Sequence, residues 1–258
     1  MIPKIIHYCW FGRNPLPPLA QECIASWRKY LPDYEIKEWN EDNFDVNMIP
    51  YTAEAYRQKK YAFVSDYARF WVMYHHGGIY FDTDVEVVRP MDDIIENGNF
   101  MGFEVDPDGE NTPGRYAPRY TFAVNPGLGF GMERGHPFME TMLDEYKDKT
   151  FEVYKELAWY KTVVAYTTEK LCDMGLENRR GIQHIGDITV YPHEYFAPIN
   201  AISLKLKVTD NTHTIHRYMA SWDAVGDKGW KQRIRRFMPE WVFVLNNKIK
   251  RRKYKIEK

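Results

Sequence analysis

The chain has 258 residues, 44% hydrophobic and 28% charged, which is enough apolar content for a core and too much for a disordered chain. Its net charge of −1 excludes a whole-molecule basic footprint for nucleic acid. Three cysteines without Cys-x-x-Cys spacing exclude an all-paired disulfide framework and argue against a cysteine-built zinc site.

Residues 2–11 read as a buried first strand, closed by Gly12 and a proline-rich loop to Pro18. Helical spacing follows over 19–30 and stops near Pro32. Residues 34–39 alternate as a second strand. Two helices are expected over about 51–60 and 62–76, the second stopped by Gly77-Gly78. Residues 79–81 form a short apolar strand running into Asp82-Thr-Asp84, and 85–88 stay extended up to Pro90. The stretch 105–120 is loop-rich. Strands are expected near 120–124 and 128–132, helices at 136–146 and about 158–174, and strands near 188–191 and 214–218. This alternation predicts an α/β sheet with helices on both faces.

The charge is segregated. Residues 228–258 carry twelve Lys/Arg against two acids, leaving the rest at about −11. We therefore divide the chain into a domain at 1–225 and a basic, aromatic appendage at 226–258. Aromatics and bases alternate from 229 onward. Such a segment is expected to dock on an anionic membrane surface, each base near that surface contributing about 1 kcal/mol. Packing on the domain, or a solvated tail, are the competing readings. The first twenty residues lack a signal-peptide pattern, and no run reaches the ~20 apolar residues of a membrane span. The expected location is cytoplasmic, peripheral at the inner face of the plasma membrane.

Gly77-Gly-Ile-Tyr-Phe-Asp-Thr-Asp84 is the strongest local signal. In an extended chain, positions two apart face one side, so Asp82 and Asp84 can share one divalent cation. Hard carboxylate oxygens suit Mn²⁺ or Mg²⁺. A bare Asp-x-Asp is more often a solvated turn; the double glycine and apolar strand ahead of it favour a site. Upstream, Asp66 and Arg69 share a helix face. They form either a plain ion pair or a pair that grips hydroxyls and phosphate.

The opening Ile2-Pro-Lys-Ile-Ile-His-Tyr-Cys-Trp-Phe-Gly12, the Ser65-Asp-x-x-Arg69 helix, and Gly-Gly-x-Tyr-x-Asp-x-Asp at 77–84 together resemble glycosyltransferase family 32. They are also similar to the glucosylating domain of large clostridial toxins. A fourth block lies at 212–222. The resemblance implies a GT-A-like, Rossmann-like nucleotide-sugar fold. It also implies a metal-dependent, retaining transfer of a hexose from a nucleoside diphosphate sugar, UDP-linked by expectation. The acceptor would be a glycan or lipid-linked glycan, as in bacterial capsular polysaccharide synthesis.

Carried over residue by residue, Trp10 would stack on the base, Asp66 and Arg69 would grip the donor sugar, and Tyr80 would lie beside it. Asp82 would contact ribose or sugar and metal-bound water, and Asp84 would bind the metal directly. His216 would complete the metal set of Asp82, Asp84 and His216. Ser221 and Trp222 would close the diphosphate site, although they are adjacent here where the toxin-like pattern separates them. Asn125, in Asn125-Pro-Gly-Leu-Gly, would line the sugar pocket. Asp82, Asp84, Arg69 and Asn125 are thus the catalytic candidates. Two other classes stay open: a metal-dependent nucleotidyltransferase or phosphodiesterase, and a non-catalytic nucleotide-sugar-binding protein.

Overall fold

The structure, a computed structural model, describes residues 1–107, 120–151, 162–200 and 205–219. The appendage at 226–258 and its membrane-facing reading, together with Ser221 and Trp222, lie outside the described residues. In chain order the elements are β1 (Ile5–Cys9), α1 (Pro18–Tyr30), β2 (Glu35–Trp39), α2 (Pro50–Arg57), α3 (Tyr61–His76), β3 (Gly78–Tyr80) and β4 (Val85–Val87). Then come α4 (Asp92–Ile95), β5 (Asn99–Val105), β6 (Ala123–Val124), β7 (Phe130–Met132), α5 (Pro137–Lys147) and α6 (Val163–Asp173). Last are β8 (Gln183–Ile185), β9 (Ile188–Tyr191), α7 (His193–Phe196) and β10 (Thr214–His216).

The central sheet runs β2-β1-β3-β7-β5-β9-β8, with β6 against β5. It is mixed. β1 is parallel to both β2 and β3, and β5 to β9. β7 runs antiparallel between β3 and β5. Strand β4 leaves this sheet and pairs with β10 as an antiparallel ribbon.

Side chains alternate across a strand, and that alternation builds two cores. On one face Ile6, Tyr8, Ile79, Phe81 and Phe100 pack with Ile24 and Trp27 of α1 and Phe196 of α7. On the other, Cys9, Tyr80, Met101, Phe103 and Phe130 pack with α3, α5 and α6 through residues such as Phe70, Met142 and Leu171. The expected α/β arrangement, a central sheet with helices on both faces, is what the described residues form.

Local sequence explains the elements nearest the site. Helix α1 starts on Pro18, whose fixed φ suits a first helical position. It buries Ala20, Cys23, Ile24 and Trp27 at helical spacing. The Trp27 indole donates to the Val85 carbonyl at 2.7 Å, pinning α1 to β4. Helix α3 ends at Gly77, φ +64°, and Gly78 follows at φ +107°. A Cβ on Gly78 would lie 2.5 Å from the Ile5 carbonyl oxygen. The double glycine therefore lets a helix stop and turn directly into the middle of a sheet.

Two strands were not expected from the sequence: β5 and β8. The short helices α4 and α7 were also unforeseen. The Asp-x-Asp is not extended either. Residues 83–84 form a turn between β3 and β4, with the Val85 amide donating to the Asp82 carbonyl at 3.1 Å. The two carboxylates converge because the chain turns there, not because it is a strand.

Candidate active site

Strands β1 and β3 are parallel neighbours, so their C-terminal ends open at one edge of the sheet. Ligands of open α/β sheets bind at that edge. Trp10 leaves β1 there and Asp82 leaves β3 there. Asp84 stands at the head of β4, and in the ribbon His216 of β10 lies opposite Val85. This register brings together residues more than 130 positions apart. Ligand atoms of Asp82, Asp84 and His216 all lie within 4.8 Å of one another. The His216 Nε2 sits 3.2 Å from Asp84 Oδ1.

Helix α3 supplies the second half. Arg69 is 4% exposed and pairs with Asp66 at 2.9 Å and Asp82 at 3.4 Å. Its guanidinium lies 5.0 Å from the centre of the Tyr80 ring. The Tyr80 hydroxyl donates to Asp82 Oδ1 at 3.1 Å. Tyr80 itself is fully buried, so it braces Asp82 from below. The buried Arg69 Nη1 has an ionic neighbour in Asp82 and no hydrogen bond among the described residues. It is a donor held ready at the edge of the carboxylate cluster.

The loop carrying Asn125 closes on the same place. The Gly127 carbonyl accepts from the Asp82 amide at 3.3 Å. The Asn125 side-chain oxygen accepts from the Gly127 amide at 2.7 Å, a local turn typical of Asn. The structure thus gathers Asp66, Arg69, Tyr80, Asp82, Asp84, Asn125 and His216. Trp10 is half-buried at the rim; its indole donates to the Asn14 carbonyl at 2.6 Å.

Electrostatics divide the acids into two kinds. Burial alone would raise Asp84. The facing His216, and the Met219 amide donating at 2.7 Å, overcome that and hold its carboxyl down to about 2. His216 is opposed by its own burial, yet Asp84 lifts it to about 9. Asp66 behaves oppositely: burial pushes it up to about 7, against the pull of Arg69 and with the push of Asp82. Asp82 is also raised, by burial first, with Arg69 opposing. Clustered shifts of opposite sign mark sites built for chemistry rather than solvated turns.

Two carboxylates and one imidazole converging from three segments form a donor set that fits a hard or borderline divalent cation. The site also contains residues that the sequence did not single out. Glu104 of β5 is 6% exposed, and burial raises its carboxyl above the usual range, with His216, Asn125 and Tyr218 opposing. Gly127 touches Asp82, and the backbone at Arg217 and Met219 holds Asp84. One signal for Glu104 was available: it is a lone carboxylate inside the otherwise apolar run Phe100-Met-Gly-Phe-Glu-Val105.

Residues 17–101 match the family described as "Glycosyltransferase sugar-binding region containing DXD motif". That span holds Asp66, Arg69, Tyr80, Asp82 and Asp84, and leaves Trp10, Asn125 and His216 outside. The chain is 27% identical over 119 residues to inositol phosphoceramide mannosyltransferase 1 of Schizosaccharomyces pombe, covering 42% of this chain and 36% of that protein. It is 26% identical over 175 residues to the initiation-specific alpha-1,6-mannosyltransferase of Candida albicans, covering 60% and 45%. The solved PaToxG glycosyltransferase aligns at TM-score 0.46 and 18% identity, covering 67% of this chain and 72% of that one. The chain spans less than half the length of either curated relative. Over about a third of its length, then, the chain is similar to the DXD-containing sugar-binding region of glycosyltransferases, and it shares about a quarter of its residues with mannosyltransferases over longer stretches.

Proposed function

We infer that this protein transfers a hexosyl group from a nucleoside diphosphate sugar to a glycan or glycolipid acceptor, with a divalent cation and with retention of configuration. The observation that carries this reading is the convergence of Asp82, Asp84 and His216 within 4.8 Å, beside the Arg69–Asp66 pair. Asp82, Asp84 and His216 would hold the cation, and the imidazole in the set favours Mn²⁺ over Mg²⁺. When bound, the cation would neutralise charge developing on the departing diphosphate.

The chain's own residues do the rest. Asp84 stays ionised across the physiological range, which suits a direct ligand. Asp66 offers carboxylate oxygens to sugar hydroxyls and Arg69 offers its unused Nη1 to a hydroxyl or phosphate oxygen. Arg69 pairs with both Asp66 and Asp82, so a donor sugar meets a prearranged set rather than mobile chains. Asn125 would line the sugar pocket, and Trp10 would stack on the base. The named relatives are mannosyltransferases, which puts a mannosyl donor beside the UDP-hexose expected from the resemblance. Among the described residues no helix is long and apolar enough to cross a membrane. A peripheral position at the inner membrane face, through the basic segment 229–258, and a role in surface polysaccharide synthesis belong to this proposal.

The test is donor turnover. With Mn²⁺ and a panel of UDP- and GDP-hexoses, one donor should release its nucleoside diphosphate, and a chelator should stop the release. Pyrophosphate release instead would support the nucleotidyltransferase reading. Metal-dependent binding without any turnover would support the binding-protein reading.

A further inference from the structure

A cavity of about 100 Å³ is lined by Asp106, Pro192, His193, Glu194, Lys207 and Thr209. None of these residues has a part in the donor and cation chemistry above. Strand β5 runs parallel to β9 and, with antiparallel β7 between them, parallel to β3. Asp106 follows β5 and His193 follows β9, so both stand at the sheet edge where Asp82 leaves β3. Asp106 is two residues beyond Glu104 of the candidate site, at most about 7 Å along the chain. Thr209 begins the segment that leads to His216 of β10.

The lining is held by its own hydrogen bonds. Asp106 accepts the His193 amide at 2.8 Å and its Nδ1–H at 2.6 Å. An ionised carboxylate only accepts, so Nδ1 carries a proton, and Nε2 is left without a hydrogen bond among the described residues. The bond to Asp106, with burial opposing, raises the imidazole's pKa. Glu194 takes Thr209 Oγ1 at 2.8 Å on Oε2 and Asn211 Nδ2 at 3.0 Å on Oε1, which leaves each oxygen a further lone pair. The Lys207 amide donates to the Pro198 carbonyl at 3.0 Å, holding its segment beside α7. Two carboxylates against one ammonium and one imidazole keep the lining from being net positive. That disfavours a phosphate and suits a neutral group that both donates and accepts, as a sugar hydroxyl does. A water takes about 30 Å³, so the cavity admits the hydroxyl-bearing edge of a ring and not a whole chain.

We propose that this cavity is the acceptor subsite, where His193 Nε2, Glu194 and Lys207 hold hydroxyls of a neutral sugar or cyclic polyol. Asp106 acts through His193 as its positioning residue. This inference rests on the transferase reading and names where its acceptor binds.

The test uses the full chain. The probes are methyl hexopyranosides of mannose, glucose and galactose, myo-inositol, and inorganic phosphate. Histidine ¹⁵N spectra with probe alone should show His193 Nε2 moving with at least one neutral probe and staying still with phosphate. With Mn²⁺ and the active donor, His193→Ala and Lys207→Gln should each raise the KM for that probe by about 10-fold, as for loss of a hydrogen bond to a charged group, with a smaller change in kcat. Lys207 is exposed, so its variant keeps the test open where loss of the His193 ring unsettles α7. Unmoved His193 signals with every neutral probe, or an unchanged KM in both variants, would overturn the proposal. A response to phosphate alone would make the cavity an anion site and also overturn it. A wild-type chain that releases no nucleoside diphosphate from any donor would sink the transferase reading instead, and the probe-alone spectra would still decide whether the cavity binds a sugar.

Discussion

Gly127 touches no ligand atom of its own, yet a Cβ there would lie 2.2 Å from Asp82 Oδ2. A methyl group must displace that carboxylate, and a displacement of about 1 Å near the chemistry can cost about 100-fold in rate. Gly127→Ala is therefore expected to lower donor turnover by about 10–100-fold while the circular dichroism spectrum stays native. A wild-type rate in this variant would mean that Asp82 can shift without consequence. His7 makes a prediction of another kind. It is wholly buried, its Nε2–H donating to the Gly77 carbonyl at 2.9 Å and its Nδ1 accepting from the Trp39 indole at 3.0 Å. Burial first, then His76 and Lys37, lower its pKa to about 4, against the pull of the Gly77 carbonyl. The unfolded chain takes up this proton near 6.5 and the folded one near 4. Its stabilisation is thus complete above 6.5 and falls as pH drops toward 4, by about 3 kcal/mol at most. Urea titrations at pH 7 and pH 4.5 should show a smaller loss for His7→Gln than for the wild type; equal losses would contradict the assignment. At this scale the sequence was legible where chemistry is local. Asp82, Asp84, Asp66 and Arg69 sit within one continuous stretch. His216 came only from the resemblance, because its place depends on pairing β10 with β4 across more than 130 residues. Gly127 had no signal of its own in the sequence, since its contact with Asp82 is tertiary.

Strand β3, which leads the chain into the site, depends on its entry. Gly78 at φ +107° has a neighbouring carbonyl oxygen 2.5 Å from where a Cβ would stand, so Gly78→Ala carries both backbone strain and a clash. We expect it to lower unfolding free energy by about 2 kcal/mol or more, read as a shifted urea midpoint. A midpoint unchanged from wild type would show that β3 can be entered by another route. Elements with one exposed face were readable in advance: α1, α3 and β2 show the apolar spacing that burial on one side demands. Strand β5 was not, because all seven of its residues are buried. A fully covered central strand has no alternation to read, and its Gly102 and Glu104 weaken a strand signal further. Strand β8 is three residues long and carries an exposed His184, too short for periodicity. The Asp-x-Asp turn was misread as extended because the same spacing of two serves both a strand and a tight convergence.

Across the whole molecule, the described site draws on β3, β4, β10, α3 and the loop after β6, so no fragment of the chain contains it. The matched region at 17–101 brings the Arg69–Asp66 and Asp82–Asp84 halves, and the later chain brings His216 and the Asn125 loop. Charge is also arranged at this scale, with the twelve bases of 228–258 set against an acidic remainder. Removal of 246–258 is expected to shift the protein off phosphatidylserine vesicles in co-sedimentation at low salt, and to do little to donor hydrolysis. Equal sedimentation of both forms would remove the membrane role from the proposal. The central claim is the cation-dependent donor site. It is tested most directly by melting temperatures of wild type and Asp84→Ala with UDP- and GDP-hexoses, each with and without Mn²⁺, since a ligand that binds only the native state raises apparent stability. A Mn²⁺-dependent rise for one donor, absent in Asp84→Ala, is the predicted result. A rise indifferent to Mn²⁺ and to Asp84, or no rise with any donor, would contradict it.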